Sequence, residues 1–100
     1  MPVAARRAPV TVHTDAGAVV LELSDSLDSL VGRVLIDAVS SAVASQAQRV
    51  DIDLRSLASW SHEGARALVE CREICRDLPD GLHYRTGRGP GRDALLAAYA

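Results

Sequence analysis

The chain has no phenylalanine and no lysine, and only 3% of it is aromatic. A core without Phe has to be built from Val, Leu, Ile and Ala, which pack well against a sheet but fill less volume per residue, so modest stability is expected. All 11 basic residues are arginine, a bias that points to GC-rich coding rather than to a binding mode. Against 13 acidic residues they leave a formal net charge of −2, too weak a field to steer the chain onto nucleic acid or an anionic membrane. Long apolar runs are missing as well, the longest lasting a few residues against the roughly 20 of a spanning helix. The Arg6-Arg7 pair near the start is followed by Thr11, His13, Thr14 and Asp15 instead of an apolar signal region. Neither export nor direct membrane insertion is encoded, and a cytoplasmic protein is expected.

Cysteine is scarce too. Cys71 and Cys75 lie four apart, which on a helix points both thiols the same way and disfavours a mutual bridge. Zinc would need two more ligands, and His13, His62 and His83 stand at no partner spacing around them. Two reduced, metal-free, half-buried thiols are expected.

What the chain does contain is enough for one core. Hydrophobic residues make up 48% and charged residues 24% of 100 positions, the balance of a globular domain. A chain of this size buries very roughly 65% of its unfolded surface, and halving it would leave neither half a core. Residues 1–9 read as a tail and residues 10–100 as a single domain.

Val10 to Thr14 alternates and is β-branched, Asp15-Ala16-Gly17 gives a turn, and Ala18 to Leu23 forms the second arm of a hairpin. Ser24 to Ser29 is turn-rich, with Ser29 as N-cap of the next element. From Leu30 to about Gln46, Val31, Val34, Leu35, Ala38, Val39 and Ala42 recur at helical spacing with Arg33, Asp37 and Ser41 opposite. Gly32 weakens that helix by about 1 kcal/mol relative to Ala. Val50 to Leu54 alternates strictly, so Val50, Ile52 and Leu54 face inward while Asp51 and Asp53 share the other face, at the solvent side or the sheet's end. Gly64, Leu68, Cys71, Cys75 and Leu78 line one face of a second amphipathic helix, stopped by Pro79. Leu82 to Thr86 reads as a fourth strand, Gly87 to Gly91 as a turn and Arg92 to Tyr99 as a terminal helix. The fold class is α/β in the order ββαβαβα, about four strands, mostly parallel, with helices packed against the sheet.

Two segments resemble the STAS family of anti-sigma factor antagonists. The stretch from Asp53-Leu54 to Ser61-His62-Glu63-Gly64 is similar to that family's strand ending in Asp-Leu, loop, and Asp-Ser-Ser-Gly at a helix start. Leu23-Ser24-Asp25-Ser26-Leu27-Asp28 resembles its Gly-Glu-Leu-Asp turn, keeping Leu27 and Asp28 but not the Gly and Glu. The resemblance implies a STAS-like sheet and recognition of an anti-sigma factor of the serine-kinase type, or of another regulatory protein, through Asp28, Ser61, His62, Glu63 and Gly64. In phosphorylatable members the first Ser of Asp-Ser-Ser-Gly accepts phosphate from the kinase. His62 stands there, Ser61 replaces the Asp and Glu63 the second Ser, so the usual acceptor hydroxyl is gone. Ser61 is either a displaced acceptor or the helix N-cap. Glu63 is either a first-turn acid that suits the helix dipole or a built-in phosphate mimic.

Other readings of these residues concern chemistry. A His at a helix start is also the pattern of phosphocarriers, which makes His62 a less favoured group-transfer candidate. Trp60 either fills the layer beside the loop or anchors an interface. Gly87-Arg88-Gly89-Pro90-Gly91-Arg92 sits between a strand and a helix, as phosphate loops do, but it matches no nucleotide motif and Pro90 removes a donor. No paired carboxylates and no nucleophile with an evident base are found, so no enzyme activity and no cofactor are expected. A STAS subunit of a lipid transporter or of a stressosome-like particle is the alternative to an anti-sigma antagonist.

Overall fold

The computed structural model describes residues 8–100, so the expected tail lies, up to position 7, outside them. The chain turns first at Ala16-Gly17, where both residues have positive φ, 49° and 86°. That pair is the signature of the tight turn whose twist matches two antiparallel strands, and it joins β1 (Val10–Asp15) to β2 (Ala18–Leu27) with Asp15 opposite Ala18. The order continues as α1 (Ser29–Ala44), β3 (Arg49–Trp60), α2 (His62–Ile74), β4 (Leu82–Arg85) and α3 (Pro90–Ala98). The four strands form one sheet in sequence order, β1-β2-β3-β4, with β2, β3 and β4 parallel. This is the ββαβαβα architecture expected from the periodicity.

The helices lie on one face of the sheet. Leu21 and Leu23 of β2, Val50, Ile52 and Leu54 of β3, Leu35 and Val39 of α1, Leu68 and Cys71 of α2, and Ala94 of α3 form a single buried cluster. Small residues set how closely the layers approach: a β-carbon on Gly32 would stand 3.0 Å from that of Ala67, and one on Gly91 would collide with the Leu54 backbone. Among the described residues no helix is long and apolar enough to cross a membrane.

Asp51 and Asp53 point to the opposite face, as alternation requires, but they are not in solvent: they are 2% and 4% exposed. Arg49 Nε and Arg85 Nη2 donate to the two Asp51 oxygens at 2.7 and 2.9 Å, and Arg55 clamps Asp53 through Nε at 3.0 Å and Nη2 at 2.8 Å. The guanidinium groups bond the carboxylates while the arginine side chains stay partly exposed to water. Burial would raise the Asp51 carboxyl, but the hydrogen bonds from Arg49 and Arg85 outweigh it and hold it below the usual carboxylate range. Hydrogen bonding from Arg55 does the same for Asp53 against its burial. This ion-pair layer takes the place of a second helical layer.

Several boundaries differ from the sequence expectation. β2 runs to Leu27 instead of ending at Leu23, and β3 runs to Trp60 instead of Leu54. Each extension is the other's partner, Ser24 opposite Ser56 and Leu27 opposite Trp60, with register shifts on both sides of Asp25 that let turn-forming residues stay in the ladder. The N-cap of α1 is Asp28, not Ser29. Val34, expected in the core, is 39% exposed because it flanks the buried series Val31, Leu35, Val39. α3 begins at Pro90, inside the expected turn, because Pro suits the first helical position.

Candidate partner-binding site

β2 and β3 end side by side, Leu27 opposite Trp60, and each passes directly into a helix. Asp28 caps α1 by accepting from the Val31 N–H at 2.9 Å through Oδ1, and Ser61 caps α2 by accepting from the Gly64 N–H at 3.1 Å through Oγ. These bonds satisfy orphan N–H groups of the first turns. The two exits are tied together, since the Ser61 N–H donates to the Leu27 carbonyl at 3.0 Å.

Asp28, Ser61, His62, Glu63 and Gly64 therefore share one rim. Asp28, His62 and Glu63 are exposed, Ser61 is half-buried and Gly64 is buried against the backbone of Leu27 and Asp28. Gly64 thus seats the helix, while the first three offer side chains outward. The Ser61 oxygen is the N-cap acceptor. Trp60 takes the packing role: half-buried, it lies against the core, and its ring meets the His62 imidazole edge to face, centroids 5.3 Å apart at 85°.

Two rim features escaped the sequence reading. Leu30, in the first turn of α1, is 70% exposed beside Asp28, an apolar side chain in water at the site. The available signal was that it stands outside the buried helical series. Asp25 has a φ of 79°, the left-handed region that glycine adopts without penalty, and it stands where the resembling turn has Gly.

Elsewhere the chemistry is quiet. Burial pushes the Cys71 thiol up to about 12 and the Cys75 thiol upward as well, which leaves both as inert, protonated core groups. Among the described residues no three His, Cys, Asp or Glu side chains gather as a metal set. In the Gly87 to Arg92 segment, Gly89 caps α3 without a side-chain bond and Gly91 is buried on Leu54, so part of its backbone is spent on packing.

No family model and no curated protein matches the chain. Solved structures do. The anti-sigma factor antagonist SpoIIAA in its unphosphorylated form is similar with a TM-score of 0.70 at 12% identity, over 87% of this chain and 81% of that one. An anti-sigma factor antagonist from Mycobacterium paratuberculosis is similar with a TM-score of 0.65 at 20% identity, over 91% and 93% of the two chains. Mglu matches 76% of this chain with a TM-score of 0.67 and 16% identity, and there the likeness spans only 19% of the longer protein. The chain, a four-stranded mixed sheet in the order ββαβαβα, has a SpoIIAA-like (STAS) fold.

Proposed function

We propose that the chain is a non-enzymatic, cytoplasmic regulatory domain that binds an anti-sigma factor of the serine-kinase type through the rim of Asp28, Ser61, His62 and Glu63, and that it is not switched by serine phosphorylation at the usual position. The observation that carries this reading is the start of α2. Its N-cap geometry and close-packed Gly64 are those a helix needs to present the next residue outward, and that residue is an exposed imidazole.

The missing acceptor changes the regulation, not the docking. A phosphoserine adds about −1.5 to −2 charges at a helix N-terminus, which the helix dipole tolerates and a complementary partner surface does not. Imidazole forms no phosphate oxygen ester, and Glu63 supplies a fixed single charge instead. Binding then depends on apolar and aromatic contact from Leu30 and Trp60, rimmed by Asp28, His62 and Glu63, the pattern of an anchor inside a polar ring.

The test is calorimetry against an anti-sigma factor of the serine-kinase type. Saturable binding that weakens about tenfold or more in Leu30→Asp and in His62→Ala supports the reading. Binding unaffected by both changes removes the rim from it.

A further inference from the structure

Among the described residues β1 is an edge of the sheet, bonded to β2 on one side only. Proteins shield such edges with lysine, proline or a bulge. β1 carries none of these: Val10-Thr11-Val12-His13-Thr14-Asp15 is mostly β-branched and its register with β2 is unbroken.

The flank above this edge is uncharged. Val12 stands opposite the fully buried Leu21, so it points to the helix-bearing face, yet it is 54% exposed because α1 leaves it uncovered. Leu35 and Val39 of α1 face the sheet, while Gly32 meets Ala67 of α2. At about 100° per residue the flank of α1 turned away from α2 carries Val34, Ala38 and Ser41. The charged Arg33 and Asp37 fall toward solvent, outside that strip.

We propose that this border is a homodimer interface in which β1 pairs antiparallel with β1 of a second copy, about a two-fold axis passing through Val12. An axis perpendicular to the sheet keeps both helix layers on one side, so only residues of the same face can stand opposite each other. With Val12 on the axis, Val10 meets Thr14 of the second copy and Thr11 meets His13 of the second copy. Centring the pair on His13 instead would set two imidazoles together. An isologous interface places each residue near its axis against itself, so a charged border repels its own copy and an uncharged one does not. The one carboxylate of β1, Asp15, stands at its end away from the axis, so the border around Val12 suits a second copy over a charged partner protein. The seam is short, which makes the dimer a weak, concentration-dependent one.

Sedimentation velocity of the full chain from micromolar to millimolar concentration tests it. The wild type rises from its 10.6 kDa monomer toward twice that mass, whereas Val12→Lys stays monomeric with unchanged circular dichroism. Val12→Cys forms an intersubunit disulfide under mild oxidation, since opposite β-carbons lie within bridging reach, and Asp15→Cys, far from the axis, does not. Cys71 and Cys75 are buried and leave this readout clean. A wild type that remains at 10.6 kDa through millimolar concentration overturns the proposal. So does a dimer indifferent to Val12→Lys, or a Val12→Cys protein that fails to cross-link. The rim at Ser61 lies at the ends of other strands, so either result leaves its partner binding unchanged.

Discussion

Gly64 at the start of α2 is seated on the carbonyl of Leu27 at the end of β2, so closely that a β-carbon would collide with that carbonyl and with the Asp28 backbone. The contact fixes both helix starts of the rim in one arrangement. Gly64→Ala is therefore expected to cost about 1–3 kcal/mol through forced backbone movement. Gly89→Ala, where a β-carbon meets nothing within 4 Å, is the control and loses only the smaller advantage of glycine over alanine at an N-cap, below about 1 kcal/mol. Urea unfolding of the two variants beside wild type checks the difference.

Asp25 holds a left-handed backbone, φ 79°, between two register shifts of the sheet. That geometry costs an L-residue about 1–2 kcal/mol, least for Asp and Asn. Asp25→Gly is expected to gain roughly 0.5–1 kcal/mol, the relieved strain being partly offset by glycine's greater freedom when unfolded. A Tm raised by about 2–6 °C is the readout. Asp25→Val, β-branched and without a local hydrogen bond to offer, lowers it.

Asp51 and Asp53 have carboxyls held below the usual range in the folded protein by their arginines. A depressed folded value means that protons bind the unfolded chain more readily. The stabilisation is therefore complete above the unfolded value of about 3.9 and is lost as pH falls through the folded values. Urea midpoints at pH 7 and pH 5 are expected to be similar, with a fall toward pH 3. Asp51→Asn, which removes charged acceptors from Arg49 and Arg85, costs about 1.5–3 kcal/mol at neutral pH and flattens the acid limb.

Ser61 spends its oxygen on the Gly64 N–H at 3.1 Å. Ser61→Ala is expected to lose about 0.5–2 kcal/mol, while Ser61→Asp, another good cap, keeps most of the stability. Thermal melts of the pair separate the capping role from any role in modification.

The order of elements was readable because hydrophobic period is a local property: Val50, Ile52 and Leu54 alternate, and Gly64, Leu68 and Cys71 recur as a helix face. The Ser61 cap was readable for the same reason. What escaped was set by pairing across the sheet. Ser24, Asp25 and Ser26 have turn chemistry, and only the extended β3 opposite them makes them a strand. The burial of Asp51 depends partly on Arg85, 34 residues later, which alternation on one strand cannot reveal. Leu30 and Val34 are apolar on a helix, and their exposure follows from how far α1 is covered, again a property of the assembled layers.

The central claim, that the rim of an anti-sigma antagonist fold is kept while its usual phosphate acceptor is lost, is tested most directly by mapping phosphate with tandem mass spectrometry. The wild type, Ser61→Ala and His62→Ser are each incubated with an anti-sigma factor kinase and ATP. The account predicts no phosphoserine in the wild type or in Ser61→Ala, and one new phosphoserine at position 62 in His62→Ser. Wild-type phosphate at Ser61 that vanishes in Ser61→Ala, or no gain in His62→Ser, would contradict it.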